Sequence, residues 1–185
     1  MTTTTDIGGR YRARAAEFTR RVENVPGDRW DSPSPCAGWS ARDVLRHMID
    51  NHRSMPAWGG LEVHLTASVD DDPVGAWHEA RDAMQALLDD PAKAAVEYDG
   101  YLGRTSVGAT VDRFLGIDLV VHAWDLARAT GQDEAMPPGD VAWVHETALA
   151  LGDSLRGEGV CGPALEVGPS ASPQDRLLAY LGRRP

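Results

Sequence analysis

The feature that most restricts the fold of this chain is the segment from residue 112 to residue 131, DRFLGIDLVVHAWDLARATG. Its spacing predicts a helix over residues 107–130, with apolar side chains around nearly the whole circumference. A helix that is apolar on all sides is buried in a protein core. The same helix nevertheless carries Asp118, His122 and Asp125, so the sequence predicts polar groups inside an apolar environment.

These three polar residues need partners. Asp118 and His122 are four residues apart, which places them on one face of the helix, and Asp125 follows along the same line. Burying an unpaired carboxylate costs several kcal/mol. Three arrangements are open: a protonated His122 paired with Asp118, a hydrogen bond between the His122 ring and Asp125, or a divalent metal bound by Asp118 and His122.

The rest of the chain predicts further helices with recognisable ends. Ser40 is typical of an N-cap, and Asp43 three residues later forms a variant of the capping box. Asp72 caps another helix with Pro73 at its first position, and Gly131 closes the apolar helix. The other predicted helical segments are 9–25, 41–55, 72–90, 136–156 and a short one entered at Ser172–Pro173.

Little of the sequence favours strands. Residues 94–109 have β-branched and aromatic residues around Asp-Gly and Leu-Gly pairs, which predicts a short hairpin or an irregular turn. Residues 58–73 predict a loop. Four or five long helices with so little strand predict an all-α bundle, and a length of 185 residues favours a single domain over residues 1–185.

Composition excludes several classes of partner. A formal net charge of −10 disfavours nucleic acid and anionic membrane surfaces. No apolar run approaches the roughly 18 residues of a membrane span, and the N-terminal residues have no apolar signal region, so we expect a cytoplasmic protein. Cys36 and Cys161 are far apart and neither belongs to a CxxC pair, so no disulfide and no thiolate zinc site is expected.

A third metal ligand would have to come from another helix. His47 and His52 both lie on the helix after Ser40, whose helical wheel places His52 near the centre of the apolar face and His47 at its edge. The wheel alone therefore favours His52 as the buried histidine. The remaining histidines stand singly in polar or amphipathic settings and are interpreted as surface or structural residues: His64, His78 and His145.

Two motifs carry a resemblance to a known family. They are DSPSPCAGWSARDVLRHMID, from residue 31, and DRFLGIDLVVHAWDLARATGQD, from residue 112. Together they resemble the actinobacterial branch of the DinB/YfiT-like superfamily. In particular, they are similar to proteins with the metal-binding domain of mycothiol-dependent maleylpyruvate isomerase. The resemblance extends over nearly the whole chain, including the closing segments GPALEV and SPQDRLLAYLGR.

The resemblance implies a DinB-like four-helix bundle that holds a divalent metal, zinc first and nickel as the alternative. Its ligands would be His47, Asp118 and His122. His47 is assigned by its place in the motif W-x-x-x-D-V-x-x-H, which overrides the wheel preference for His52; His52 becomes a candidate additional ligand or a group behind the ligands. Asp118 departs from the family pattern, because the isomerase has Glu there and many relatives have His.

The resemblance also implies mycothiol, a low-molecular-weight thiol, as a cosubstrate. A metal stabilises the thiolate, which is the competent nucleophile. The thiolate could add to an activated alkene in an isomerisation or displace a leaving group in a transfer. Asp125 is either a group that orients the His122 ring or a solvated helix residue. The expected partners are a small-molecule thiol and an electrophilic substrate, with a homodimer as a further expectation.

Several other residues near these motifs have two interpretations. Cys36 is favoured as a small apolar plug beneath Trp39, against a role near the metal or in oxidation. Trp39 and Trp124 are interpreted as core residues, with a place in a pocket wall as the alternative. Arg104 and Arg113 could bind a substrate carboxylate, although most arginines are solvated.

Three functions follow from these patterns. The first is a metal-dependent transferase or isomerase that uses a thiol. The second is a non-catalytic binder of a metal or small ligand with the same fold. The third is a helical bundle without metal that serves a dimer or a regulatory contact.

Overall fold

The computed structural model describes residues 6–156 and 160–185. It is mostly helical with a small two-stranded sheet, which confirms the predicted all-α, DinB-like architecture. The elements in chain order are α1 (Ile7–Glu23), α2 (Ala41–Trp58), α3 (Pro73–Leu88), α4 (Pro91–Ala94), β1 (Glu97–Gly100), β2 (Gly103–Ser106), α5 (Val107–Thr110), a π-helical turn (Val111–Leu115), α6 (Gly116–Thr130), α7 (Pro138–Leu151), a 3-10 turn (Gly152–Arg156) and α8 (Pro173–Tyr180).

Helices α1, α2, α3 and α6 pack against one another and form the four-helix bundle. The bundle interior is a continuous apolar cluster to which each helix contributes one face. Its largest fully buried side chains include Phe18 from α1, Leu45 and Met48 from α2, Trp77 from α3 and Leu119 from α6. Burial of these faces supplies the main driving force for the bundle, because apolar area is removed from water.

Helix α6 is buried on two opposite sides, which explains its all-round apolarity. One side, including Leu119 and Leu126, belongs to the bundle interior. The other side, including Val121 and Trp124, belongs to a second apolar cluster with α7, α8 and the segments around them. The sequence therefore predicted the burial of this helix correctly, while the second layer that covers it comes from the C-terminal third of the chain.

The predicted helix over residues 107–130 is continuous but not uniform. A π-helical turn at Val111–Leu115 separates α5 from α6. The residues after such a turn are shifted around the axis, and π-turns are frequent at functional sites. Gly116 follows the turn directly, and a Cβ there would lie 2.8 Å from Arg14 Nη1. Gly131, at φ 76°, ends α6 in the left-handed conformation as predicted.

Most local signals in the sequence are confirmed. The Ser40 and Asp43 side chains form a reciprocal capping box at the start of α2, and Asp72 caps α3 with Pro73 at its first position. Strands β1 and β2 pair antiparallel as a hairpin. Cys36 and Cys161 are free thiols, as expected. Among the described residues, no helix combines the length and apolarity needed to cross a membrane.

Candidate metal centre

The three predicted ligands lie together. His47 comes from α2, while Asp118 and His122 come from α6, and one potential ligand atom of each lies within 4.8 Å of the others. His47 Nε2 is 3.7 Å from Asp118 Oδ2, and the two imidazole rings have centroids 5.0 Å apart. Two imidazoles and a carboxylate are a donor set that zinc uses in proteins. Their role as metal ligands stays a prediction.

Asn51 joins this cluster and was missed by the sequence analysis. Its amide nitrogen Nδ2 lies 3.0 Å from His47 Nε2 and donates to Asp118 Oδ2 at 2.8 Å. The amide therefore connects α2 to α6 between two of the predicted ligand atoms. Asn51 is four residues after His47, on the same face of α2, and this spacing was the signal that could have identified it.

The His122 ring is held from behind by Asp125. His122 Nδ1 and Asp125 Oδ2 are 2.9 Å apart, and Asp125 is fully buried with 0% of its surface exposed. This confirms the interpretation of Asp125 as the group that orients His122, and the alternative of a solvated helix residue is wrong. Because Nδ1 is engaged, Nε2 is the ring nitrogen left to face a ligand.

Asp125 in turn pairs with an arginine from the segment that follows α8. Arg183 Nε donates to Oδ1 at 2.8 Å and Nη2 donates to Oδ2 at 2.6 Å. Burial would raise the pKa of Asp125, but the hydrogen bonds from His122 and Arg183 outweigh it and hold that pKa below its usual range. The carboxylate is thus charged, buried and paired.

Cys36 contacts the same carboxylate, so the interpretation as an apolar plug is wrong. Its Sγ donates to Asp125 Oδ2 at 3.4 Å. Burial, followed by the negative charge of Asp125, raises the pKa of the Cys36 thiol to about 12. Cys36, His122 and Asp125 are close enough to be a second metal-ligand group. The Arg183 guanidinium already neutralises Asp125 through both oxygens, which disfavours a cation at that place.

His52 is not part of the cluster, which corrects its assignment as a candidate additional ligand or supporting group. It is fully buried, as the helical wheel indicated. Its Nδ1 lies 2.6 Å from the Met48 carbonyl oxygen and its Nε2 lies 2.9 Å from the Tyr11 hydroxyl. Burial lowers the pKa of His52 to about 4. A neutral ring with both nitrogens engaged has no atom left for a metal.

The other histidines behave as interpreted. His64 and His78 form partly or largely exposed pairs with Glu62 and Glu23, respectively. The His145 ring packs near the ring of Tyr180. None of these contacts joins the cluster.

The cluster opens into a large cavity of about 1300 Å³. Trp39 lines this cavity, with its ring centroid 5.0 Å from that of His47 and 6.3 Å from that of His122. Its interpretation as a core residue is therefore wrong, whereas Trp124, 1% exposed, is a core residue as expected. Further lining residues come from the hairpin, the π-helical turn and the C-terminal third: Tyr98, Tyr101, Phe114, Leu155, Val160 and Cys161.

The two arginines singled out in the sequence both line the cavity. Arg104 pairs with Glu97 and Asp99 on the hairpin. Arg113 is exposed, and within the described ranges 6–156 and 160–185 no hydrogen bond or ion pair involves its side chain. Arg113 is thus the better placed of the two to meet a negatively charged ligand.

The fold and the cluster define a DinB-like helical-bundle protein. The chain belongs to the mycothiol maleylpyruvate isomerase N-terminal domain family, whose model matches residues 11–127. This match confirms the resemblance and runs from within α1 to most of the way along α6, including His47, Asp118, His122 and Asp125. Arg183 lies outside the matched residues.

Two curated relatives match over most of their length. Both are from Mycobacterium tuberculosis: "Uncharacterized protein MT0763" of strain CDC 1551 / Oshkosh and "Uncharacterized protein Rv0738" of strain ATCC 25618 / H37Rv. Each is 30% identical over 174 residues, which is 90% of this chain and 91% of the relative. No solved structure matches the chain.

Proposed function

We propose that the protein binds a divalent cation through His47, Asp118 and His122 and uses it with a low-molecular-weight thiol to act on an electrophilic substrate. Zinc is the proposed metal with nickel as the alternative, and mycothiol is the proposed thiol. The reaction would be a thiol transfer or a thiol-dependent isomerisation. The observation that carries this proposal is the convergence of three donors from two helices at the wall of one cavity.

The donors fit such a cation in kind and in spacing. Zinc–nitrogen and zinc–oxygen bonds of about 2.0–2.2 Å in a tetrahedral site place neighbouring donors roughly 3.3 Å apart. His47 Nε2 and Asp118 Oδ2 are 3.7 Å apart, so a small side-chain adjustment brings them to that separation. The Asn51 amide must give up its contacts to both atoms when a cation binds.

The chain's own residues prepare the site for this role. A bound divalent cation lowers the pKa of a coordinated thiol and so supplies a thiolate at neutral pH. Asp125 engages His122 Nδ1, which leaves Nε2 as the ring nitrogen available to a cation. The Trp39 ring lies beside both imidazoles and forms the adjoining wall of the cavity.

The nucleophile is proposed to be a small-molecule thiol because the nearest protein thiol is unsuited. The pKa of Cys36 is raised to about 12, and its Sγ donates to Asp125, so at neutral pH it is a protonated thiol. The cavity of about 1300 Å³ is larger than the roughly 300–1,000 Å³ of a typical small-ligand pocket, which leaves room for a thiol and a second substrate. Arg113 is placed to bind a carboxylate of either one.

Metal analysis with matched histidine variants tests the proposal. Protein purified without added metal and then titrated with zinc is expected to bind one equivalent. His47→Ala is expected to lose this binding, whereas His64→Ala, which alters an exposed histidine outside the cluster, is expected to retain it. Failure of the wild type to bind zinc or nickel would reject the metal-dependent function and favour a bundle without metal.

A thiol-consumption assay tests the chemistry separately. The zinc-loaded wild type is expected to consume mycothiol with a substrate that has a leaving group, or to isomerise an activated cis-alkene only when mycothiol is present, because an isomerisation releases the thiol again. His47→Ala is expected to do neither. A non-catalytic binder is the second candidate, because Asp118 is one methylene shorter than the isomerase glutamate and accepts a hydrogen bond from Asn51. Zinc binding with neither thiol consumption nor thiol-dependent isomerisation, over a panel of such substrates, would favour that candidate.

A further inference from the structure

We propose that Arg183 is a positioning residue of the candidate metal centre. Its guanidinium fixes Asp125, and Asp125 fixes the ring orientation and the tautomer of His122. The inference rests on the proposed function in so far as it concerns metal binding. Arg183 lies in the segment after α8, which the family model does not match. This segment would therefore help to orient a ligand on α6.

The contact between Arg183 and Asp125 is close and enclosed. The Arg183 side chain is 12% exposed and Asp125 is 0% exposed. The two guanidinium nitrogens meet the two carboxylate oxygens at 2.8 and 2.6 Å, in the paired geometry that is strongest for this kind of interaction. Such a pair leaves the carboxylate plane with one orientation.

The position of Arg183 is itself set by the second apolar cluster. Its backbone N–H donates to the Leu178 carbonyl oxygen at 2.8 Å, and Nη1 donates to the Leu181 carbonyl oxygen at 3.3 Å. Leu178 and Leu181 are buried in the cluster that packs against the outer side of α6. The arginine is therefore anchored to the layer that this cluster forms, and the anchored guanidinium reaches Asp125.

The hydrogen bonds that Asp125 accepts determine which tautomer His122 adopts. A carboxylate paired with a guanidinium through both oxygens can only accept hydrogen bonds. Oδ2 already accepts from Arg183 Nη2 and from the Cys36 thiol, and its contact with His122 Nδ1 at 2.9 Å therefore requires a proton on Nδ1. The lone pair of the neutral ring is then on Nε2, the nitrogen a metal would bind. Without Arg183 the carboxylate loses its fixed orientation, and both the ring position and the tautomer lose their support.

An alternative explanation is that Arg183 only anchors its own segment to the bundle. Arg156 offers a matched control, because it also ties this part of the chain together without contacting Asp125. It donates to the carbonyl oxygens of Gly162 and Tyr180, each at 2.7 Å. A purely anchoring role predicts that Arg156→Met and Arg183→Met have similar effects on the metal centre.

The decisive experiment compares the wild type with Arg183→Met, Arg183→Lys and Arg156→Met by two readouts. Histidine-selective nitrogen-15 NMR on protein treated with chelator at pH 8 reports which ring nitrogen of His122 carries the proton. Zinc titration reports the Kd. We expect Nδ1–H in the wild type and in Arg156→Met, and a mixture of tautomers in Arg183→Met. The zinc Kd should rise about tenfold or more in Arg183→Met, which is the usual effect of removing support behind a metal ligand.

Arg183→Lys is expected to fall between the wild type and Arg183→Met, because one ammonium can contact Asp125 but cannot pair with both oxygens. A proton on Nε2 in the wild type would overturn the proposal. So would an unchanged tautomer in Arg183→Met, or equal zinc Kd values for Arg183→Met and Arg156→Met. If the wild type binds no zinc, the proposed function fails, and the tautomer comparison still decides whether Arg183 positions His122.

Arg183→Met leaves a buried carboxylate without its guanidinium and can fail to fold. The double variant Asp125→Asn/Arg183→Met removes both charges and nearly preserves the volume at position 125. Because an amide can either accept from Nδ1–H or donate to Nδ1, we expect this folded variant to show mixed His122 tautomers. Retention of a single Nδ1–H tautomer there would also overturn the proposal.

Discussion

At the scale of single residues, a side-chain amide controls how the candidate ligands meet. Asn51 Nδ2 contacts both His47 Nε2 and Asp118 Oδ2. These contacts draw α2 and α6 together, but a cation has to displace them before it reaches the same two atoms. Asn51 therefore competes with the metal that the cluster is proposed to hold.

We expect Asn51→Ala to bind zinc about tenfold more tightly than the wild type, because one or two hydrogen bonds of about 1 kcal/mol no longer oppose binding. Zinc titration with a competing chelator measures the difference. Asn24→Ala, which changes an exposed asparagine whose amide bonds to the Arg20 carbonyl oxygen, is the matched control. Weaker binding by Asn51→Ala would show instead that the amide turns and offers Oδ1 to the metal.

A buried histidine outside the cluster makes the stability of the protein depend on pH. Burial lowers the pKa of His52 to about 4, below the roughly 6.5 of the unfolded chain. As the pH falls, the unfolded chain takes up a proton first and is stabilised relative to the folded protein. The contribution of neutral His52 is thus complete above about pH 6.5 and is lost between that pH and about 4.

We therefore expect the free energy of unfolding to decrease by about 2 kcal/mol from pH 7 to pH 5 on account of His52. Urea unfolding with a chelator present measures this decrease without a contribution from metal binding. His52→Gln retains a hydrogen-bonding group for Tyr11 but does not titrate, so it should lose this part of the pH dependence. An equal pH dependence in His52→Gln and the wild type would contradict the assignment.

At the scale of elements, α2 depends on its first turn. Ser40 Oγ accepts from the Asp43 backbone N–H at 3.2 Å, and Asp43 Oδ2 accepts from the Ser40 backbone N–H at 2.9 Å. The hydrogen bonds that the Ser40 backbone N–H and then the Ser40 hydroxyl donate to the Asp43 carboxylate lower the pKa of Asp43. This first turn follows Trp39 directly and begins the helix that carries His47. The cap therefore helps to fix the positions of Trp39, which lines the cavity, and of His47, a candidate ligand.

We expect Ser40→Ala to lower the free energy of unfolding by about 1 kcal/mol, the usual cost of losing an N-cap. It should also raise the pKa of Asp43 towards its ordinary value, because the hydroxyl no longer donates to that carboxylate at 2.7 Å. Urea unfolding and carboxyl NMR titration measure the two effects. Ser54→Ala, in the body of the same helix, should show neither effect.

Helix α6 shows which features of a helix a sequence pattern predicts and which it does not. The helical stretch over residues 107–130, the burial of α6 and its glycine cap were all predicted from the sequence, because they depend on local periodicity and on residues next to one another. The π-helical turn at Val111–Leu115 was not predicted. The apolar periodicity of this segment continues through the turn and does not specify it.

At the scale of the whole molecule, two apolar clusters share α6 as a common wall. The bundle interior lies on one side of this helix and the layer with α7 and α8 lies on the other. The candidate centre lies where these parts meet: α2 and α6 supply the ligands, and Arg183 reaches in from beyond α8. Because neither cluster can lose α6 and remain covered, the single domain predicted from the sequence should unfold as one cooperative unit.

We expect one calorimetric transition, with equal calorimetric and van't Hoff enthalpies. Leu119→Ala in the bundle interior and Leu177→Ala in the second cluster should each cost about 3 kcal/mol, because both side chains are fully buried. Each variant should move the same single transition to lower temperature. Two transitions, with each variant shifting only one of them, would contradict a single domain.

The sequence by itself determined the helical class, the caps and hairpin, the burial of α6 and the three candidate ligands. The helical class, the caps, the hairpin and the burial follow from short-range periodicity and from neighbouring residues, whereas the set of three candidate ligands follows from the resemblance to the family. Only the tertiary structure decided that His52 bonds to Tyr11, that Trp39 lines the cavity and that Cys36 bonds to Asp125. It also brought Asn51 to Asp118, across 67 positions, and Arg183 to Asp125, across 58 positions. The physical reason is that a buried polar group takes whichever partner the packed helices bring within hydrogen-bonding distance, and that distance is set by the whole fold.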